Sequence, residues 1–218
     1  MVWGCKATRD QTLTYNFRSA VQRNLLTRIL DYVKWQFHKV ALDRAFDRRR
    51  NVDTGGQIPA FILRSGREGV RYQAVEPDSF MKAVGSLDID VAEFRFVDIG
   101  CGKGRALLLA RDLGFKNIIG VEISQSLCKI ARRNCPDAEI LCANAASYLL
   151  PEGPCVFYFF NPFGESLVRT LAANILKHRG PCVVVYVNPL HRGIFDADSR
   201  FKLLRGNKDV GIWEVAAD

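Results

Sequence analysis

The chain has 218 residues, of which 48% are apolar and 25% charged, enough for one globular domain with an extension. No run approaches the ~18 consecutive apolar residues of a membrane span. Seven cysteines without a C-x-x-C pair and only three histidines argue against a disulfide framework or a zinc site and for reduced thiols in a cytoplasmic protein.

Residues 1–16 carry little pattern and read as a loose arm, with no apolar core of a secretory signal. From Phe17 to Phe46 an apolar stripe recurs at helical spacing through Val21, Leu25, Ile29, Val33, Phe37 and Val40, which predicts a helix. Its cations, among them Arg18, Arg28, Lys34 and Arg44, spread around the polar side instead of forming one line. Trp35 and Phe37 among cations leave a membrane-surface helix open; packing on the rest of the chain or on a second subunit accounts for the same pattern. Asp47 to Gly56 is read as a loop that closes the helix, carrying the cluster Arg48-Arg49-Arg50, with Asp53 and Thr54 suited to cap a turn. The net charge is +8, and all of it lies in the first 75 residues. A basic extension on a balanced remainder points to an acidic macromolecule as partner or to a solubilising role. Pro77-Asp78-Ser79 then starts a helix expected to reach Leu87.

The most informative stretch is Phe94 to Ala110. Phe94, Phe96, Val97 and Ile99 read as a buried strand, and Ala106 to Ala110 as a helix. Between them stand Gly100, Gly102 and Gly104. A dinucleotide fingerprint G-x-G-x-x-G would need its third glycine at Arg105, and a phosphate-binding Walker loop would need Ser or Thr after Lys103. What is present is Asp98-Ile-Gly100-Cys101-Gly102-Lys-Gly104, followed by a second apolar run, Asn117 to Val121, that ends in the acid Glu122 and Ile123. This arrangement resembles motif I and the following strand of the class I S-adenosylmethionine (SAM) methyltransferases. The resemblance covers about residues 72–218. It implies that Asp98, Gly100, Cys101, Gly102 and Gly104 line the cofactor, and that Glu122 and Ile123 receive its ribose end. A carboxylate can accept two bonds from vicinal hydroxyls, which suits Glu122. The resemblance also places Tyr72 and Glu76, ahead of the glycine loop, as candidates for the cofactor cleft. The arrangement Asp47-Arg-Arg-x-x-Val-Asp-Thr54 is similar to a segment found ahead of motif I in some bacterial members.

Further strands are expected at 118–122, 138–142, 155–160 and 182–187, alternating with helices at about 104–113, 124–134, 145–149 and 165–178, with Ser124 capping the second of these. A short segment at 190–198 follows. Arg200 to Arg205 and Val210 to Val215 then alternate apolar and polar across a Gly-Asn-Lys-Asp turn, a hairpin signal. The fold class is therefore α/β, a doubly wound seven-stranded sheet. The resemblance implies the strand order 3-2-1-4-5-7-6, with the last strand antiparallel. The expected division is a basic helical extension, 1–71, and a cofactor-binding domain, 72–218.

After the third strand, Asn144-Ala145 stands where many members carry Asp-Ala. The resemblance makes Asn144 and Ala145 candidates for the adenine end, with the amide oxygen as acceptor. After the fourth strand, Asn161-Pro162-Phe163 stands where amino-methylating members carry Asp/Asn-Pro-Pro-Phe/Tyr; one proline is missing here. Asn161 Oδ1 and the Pro162 carbonyl can accept hydrogen bonds from an amine or amide nitrogen, and Phe163 can stack on a planar or cationic group. Asn188-Pro189 repeats the dipeptide after the fifth strand, so a plain turn explains either site. The reading is a SAM-dependent methyltransferase acting on nitrogen of a protein side chain or another amine. Two alternatives stand beside it: a nucleic-acid amino-group methyltransferase, against which the absence of a separate RNA-binding module counts, and a non-catalytic interaction protein with this fold. The sequence does not fix the methyl acceptor or the oligomeric state.

Overall fold

Strands and helices alternate through most of the chain, as the hydrophobic periods require. The computed structural model describes residues 25–59, 72–160 and 163–215. The expected helix start at 17–24 and the pair Asn161-Pro162 lie outside them. The chain divides into two compact units, Met1–Ala45 and Phe46–Asp218. Residues 46–59, grouped above with the extension, fall in the second unit.

Helix α1 (Leu25–Arg50) carries Val33, Trp35 and Phe37 exposed. It runs through Asp47–Arg50, which the sequence reading assigned to a loop. The correction has a physical basis: Arg48, Arg49 and Arg50 form the last turn, where cations suit the negative end of the helix dipole. Asn51 then takes φ 54°, the left-handed conformation that ends many helices. Two short strands not foreseen, β1 (Gln57–Ile58) and β2 (Tyr72–Gln73), pair antiparallel.

The remaining elements are α2 (Pro77–Val84), β3 (Arg95–Ile99), α3 (Arg105–Leu113), β4 (Asn117–Glu122), α4 (Gln125–Asn134) and β5 (Glu139–Cys142). A 3₁₀ turn at Ala145–Ser147 follows, then β6 (Cys155–Phe160), α5 (Glu165–Ile175), β7 (Cys182–Val187), α6 (Gly193–Asp196), β8 (Phe201–Gly206) and β9 (Val210–Val215). The sheet order is β5-β4-β3-β6-β7-β9-β8, which is the expected 3-2-1-4-5-7-6. Strands β3 to β7 are parallel and β9 runs antiparallel to β7 and β8.

Alternation along the buried strands splits the core. Phe96 and Tyr158 meet Phe80 of α2 on one face, with ring centroids 5.3–5.7 Å apart. Val97, Phe157 and Phe159 face α5 on the other, where Phe195 stacks on Trp213 at 5.0 Å. Asp98 pairs in register with Gly120 on one side and Tyr158 on the other. Asp98 therefore shares the α2 face near the carboxyl ends of the central strands, where open α/β sheets bind ligands. Among the described residues no helix is long and apolar enough to cross a membrane.

Candidate functional site

The glycine loop folds back on its own sheet. Gly100 and Cys101 donate to the Val121 carbonyl at 2.7 and 3.0 Å, and Gly104 donates to the Cys101 carbonyl at 2.8 Å. Gly100, Gly102 and Gly104 all have positive φ. Two of them are also sterically required. A Cβ on Gly102 would lie 2.3 Å from the Tyr72 ring, and one on Gly104 would lie 2.8 Å from Cys135 Sγ. Gly104 thus fixes the loop against α4, and Gly102 lets Tyr72 lie flat on the backbone.

Tyr72, Asp98, Gly100, Cys101, Arg105, Tyr158 and Phe160 line one cleft at the strand ends. The sequence reading placed four of these residues in a common site: Tyr72, Asp98, Gly100 and Cys101. Glu122 adjoins them: Oε2 accepts the Gly102 N–H at 3.0 Å and Oε1 the Ser124 N–H at 2.8 Å. Ser124 occupies the position before α4, but its hydroxyl bonds Ser126 Oγ at 2.9 Å and caps no backbone group. The Ser126 hydroxyl takes up the group that would have made the expected cap. Ile123 beside it is exposed and offers an apolar surface.

Other expected residues are placed differently. Glu76 is exposed and immediately precedes α2; it does not line the cleft described above. Asn144 is exposed, and its Oδ1 accepts the Ala146 N–H at 2.9 Å, capping the 3₁₀ turn; Ala145 is buried behind it. Phe163 is half-buried and packs against the Val97 face of the sheet. Asn188 is an exposed turn residue with φ 53°.

The two acids at the cleft are poorly solvated. Burial, and then the charge of Glu122, hold the Asp98 carboxyl well above the usual carboxylate range. Burial also raises Glu122, against the lowering pull of its backbone donors, Ser124 first and Gly102 next. The Cys101 thiol is pushed up by burial and by both acids. Such a site gains from a ligand carrying positive charge.

Arg105 and Tyr158 are among the lining residues that escaped the sequence reading. Arg105 opens α3, where a cation opposes the helix dipole, so its presence needs another cause; that cause is a set of partners in residues 47–54, described below. Tyr158 looked like one more aromatic of a buried strand. It is fully buried, and its hydroxyl has no hydrogen-bond partner among the described residues. A buried hydroxyl without a partner costs about 1–3 kcal/mol. Tyr158→Phe is therefore expected to raise the melting temperature of the ligand-free protein by a few degrees, about 2–4 °C per kcal/mol for a chain of this size. Scanning calorimetry measures it, and a lower melting temperature would mean that the hydroxyl is bonded in solution.

Residues 96–178 match the family described as a methyltransferase domain. Over 65 residues the chain is 37% identical to trans-aconitate 2-methyltransferase of Afipia carboxidovorans; the match spans 29% of this chain and 25% of that protein. Among solved structures, an Escherichia coli methyltransferase designation, yhhF, superposes with TM-score 0.54 and 13% identity, over 65% of this chain and 86% of that one. A Thermoplasma acidophilum protein superposes with TM-score 0.50 and 16% identity, over 72% of this chain and 94% of that one. These two show a shared fold. Residues 96–178 thus match a methyltransferase-domain family, and the sheet order, the glycine loop between β3 and α3 and the acid that ends β4 agree with that match; family match and fold together indicate a SAM-dependent methyltransferase domain with S-adenosylmethionine as cofactor.

Proposed function

We propose that the chain is a SAM-dependent methyltransferase that acts on a nitrogen of a protein side chain or of another amine or amide substrate. One observation carries the cofactor half of this reading. Two buried carboxyls, Asp98 lining the cleft and Glu122 adjoining it through the Gly102 N–H, both raised in pKa, stand directly beside a glycine loop whose backbone a ligand can approach. SAM fits that donor set: its ammonium and sulfonium are cations for Asp98, and its ribose hydroxyls can donate to the remaining lone pairs of Glu122. When bound, it supplies an electrophilic methyl group.

The acceptor half rests on Asn161-Pro162-Phe163, which directly follows β6. Phe160, the last residue of that strand, lines the cleft. Phe163 is half-buried and packs against the core. Asn161 Oδ1 and the Pro162 carbonyl accept hydrogen bonds from the acceptor nitrogen and aim its lone pair. Catalysis in this reading is mainly positioning. An amine must arrive deprotonated, and an apolar surrounding with Phe160 favours its neutral form.

The first experiment is calorimetric titration with SAM and S-adenosylhomocysteine, with NAD and ATP as controls. Binding of the two SAM-type ligands alone supports the cofactor assignment. Asn161→Ala is then expected to keep SAM affinity within about twofold while lowering turnover on an acceptor found with labelled SAM by about 10²-fold or more. Unchanged turnover would remove that turn from the mechanism. The nucleic-acid alternative draws on the basic first 75 residues. Arg50 of that region is tied to Asp112, with Nη2 2.6 Å from Oδ2, which takes one cation out of the Arg48–Arg50 cluster.

A further inference from the structure

The segment that the sequence reading took for a loop, Asp47 to Gly55, is wired to the glycine loop. Asp47 Oδ2 accepts the backbone N–H of Thr54 at 3.0 Å and of Gly55 at 2.7 Å, and Oδ1 accepts the Thr54 hydroxyl at 2.6 Å. Arg105 Nη2 lies 3.5 Å from the same Oδ1. One carboxylate thus accepts three hydrogen bonds and faces one cation, and Thr54 is wholly buried.

Thr54 passes the constraint on in two directions. Its hydroxyl oxygen accepts Arg105 Nε at 2.8 Å, and Arg105 lies over the Phe46 ring at 4.7 Å. Its carbonyl accepts the Tyr72 hydroxyl, and the Tyr72 ring covers Gly102. The flanking residues are held as well. Lys103 Nζ, inside the glycine loop, donates to Asp53 Oδ1 at 2.7 Å and to the Gly55 carbonyl at 3.0 Å. Asn134 Nδ2 bridges the Asp53 and Lys103 carbonyls at 2.8 and 2.9 Å. Asp47 itself does not line the cleft, so its contacts do not serve the ligand directly.

We propose that Asp47 is a positioning residue for the cofactor site: it fixes Thr54, and through Thr54 it fixes Tyr72 and Arg105 against the glycine loop. The inference rests on the cofactor reading above. Its physical basis is pre-organisation: a site held in its binding shape spends less ligand binding free energy on ordering. The Asp-Arg-Arg-x-x-Val-Asp-Thr arrangement then acquires a role. Asp47 and Thr54 are its two ends, brought together by the helix terminus at Arg50 and the left-handed Asn51.

The test is calorimetric SAM affinity of the full chain for Asp47→Asn, Tyr72→Phe and the double variant, each measured well below its melting temperature. Asp47→Asn leaves one oxygen for the Thr54 and Gly55 N–H groups but sets an amide N–H2 against the Thr54 hydroxyl and Arg105, and the expected result is about tenfold weaker binding. In the Tyr72→Phe background the same change should cost clearly less, because the link it acts through is already cut. Asp112→Asn, which breaks the Arg50 pair on the same segment, should leave affinity unchanged. Folded Asp47→Asn protein with wild-type affinity overturns the proposal, and so do fully additive losses. Should Asp47→Asn fail to fold, hydrogen exchange on the wild-type chain decides. SAM should slow exchange of the Thr54 and Gly55 amides, and unchanged exchange overturns the proposal. A wild-type chain that binds no SAM defeats the cofactor reading itself, a result distinct from binding that ignores Asp47.

Discussion

Asp98→Asn is expected to weaken SAM binding severely and, in the same protein, to raise the melting temperature of the ligand-free domain. Both effects come from one imbalance. The carboxyl is 3% exposed, and the causes acting on its pKa, burial and then Glu122, both raise it. Because its pKa is raised in the folded state, its stabilising contribution is complete below the unfolded value of about 4 and is lost as pH rises through the folded value. Above that folded value the empty site is therefore under electrostatic strain. Asparagine removes that charge at nearly the same volume. A gain of about 1 kcal/mol corresponds to roughly 2–4 °C for a chain of this size. The cationic ligand loses its counter-charge, a change worth about 2–5 kcal/mol for a buried pair. The pH profile gives a second check. Wild-type affinity for SAM should rise with pH across the interval from about 4 to the raised folded value, and the variant should show a shallower rise. A variant that melts lower and binds normally would mean that Asp98 is a structural acid and does not face the ligand.

The sheet was legible because its signals are local and redundant. Each strand from β3 to β7 is an apolar run bounded by a glycine, proline or charged turn, and the glycine loop leaves few options for what joins β3 to α3. Residues that act through distant partners were less legible. Arg105 appeared only as the wrong residue for a dinucleotide loop, since its partners Asp47 and Thr54 lie more than fifty positions earlier in the chain. Tyr158 could not be told from its phenylalanine neighbours, because a hydroxyl's lack of a partner is a property of the packed state. The run Asp47–Arg50 was read as loop on its charges, although a cationic final turn is favourable at a helix carboxyl end. Asn144 and Ser124 show the converse. Both carry the side chain expected of them, yet neighbouring backbone and hydroxyl groups take up part of it, a competition that spacing alone does not reveal.

Glu122→Ala should act on stability in the opposite direction to Asp98→Asn, although both acids are buried beside the glycine loop with raised pKa values. The difference lies in their donors. Glu122 accepts Gly102 and Ser124 N–H groups, one on each carboxylate oxygen, and these bonds partly offset its burial. Alanine leaves two backbone donors without a partner, at about 1–3 kcal/mol each. The melting temperature should therefore fall, and the Gly102 end of the loop should loosen beneath Tyr72. SAM affinity should fall by about 1–3 kcal/mol for the two ribose bonds lost, and further wherever the loop no longer holds its shape. Glu122→Gln separates the two contributions. Its single oxygen can keep one backbone bond, while its N–H2 faces the other donor, so stability should drop less than with alanine. The ribose would still lose one acceptor, and the affinity loss should remain. Calorimetry and thermal melts of both variants distinguish the outcomes. Glutamine with wild-type affinity would mean that Glu122 serves the loop and not the ribose, and the cofactor would then be held chiefly by Asp98 and the glycine backbone.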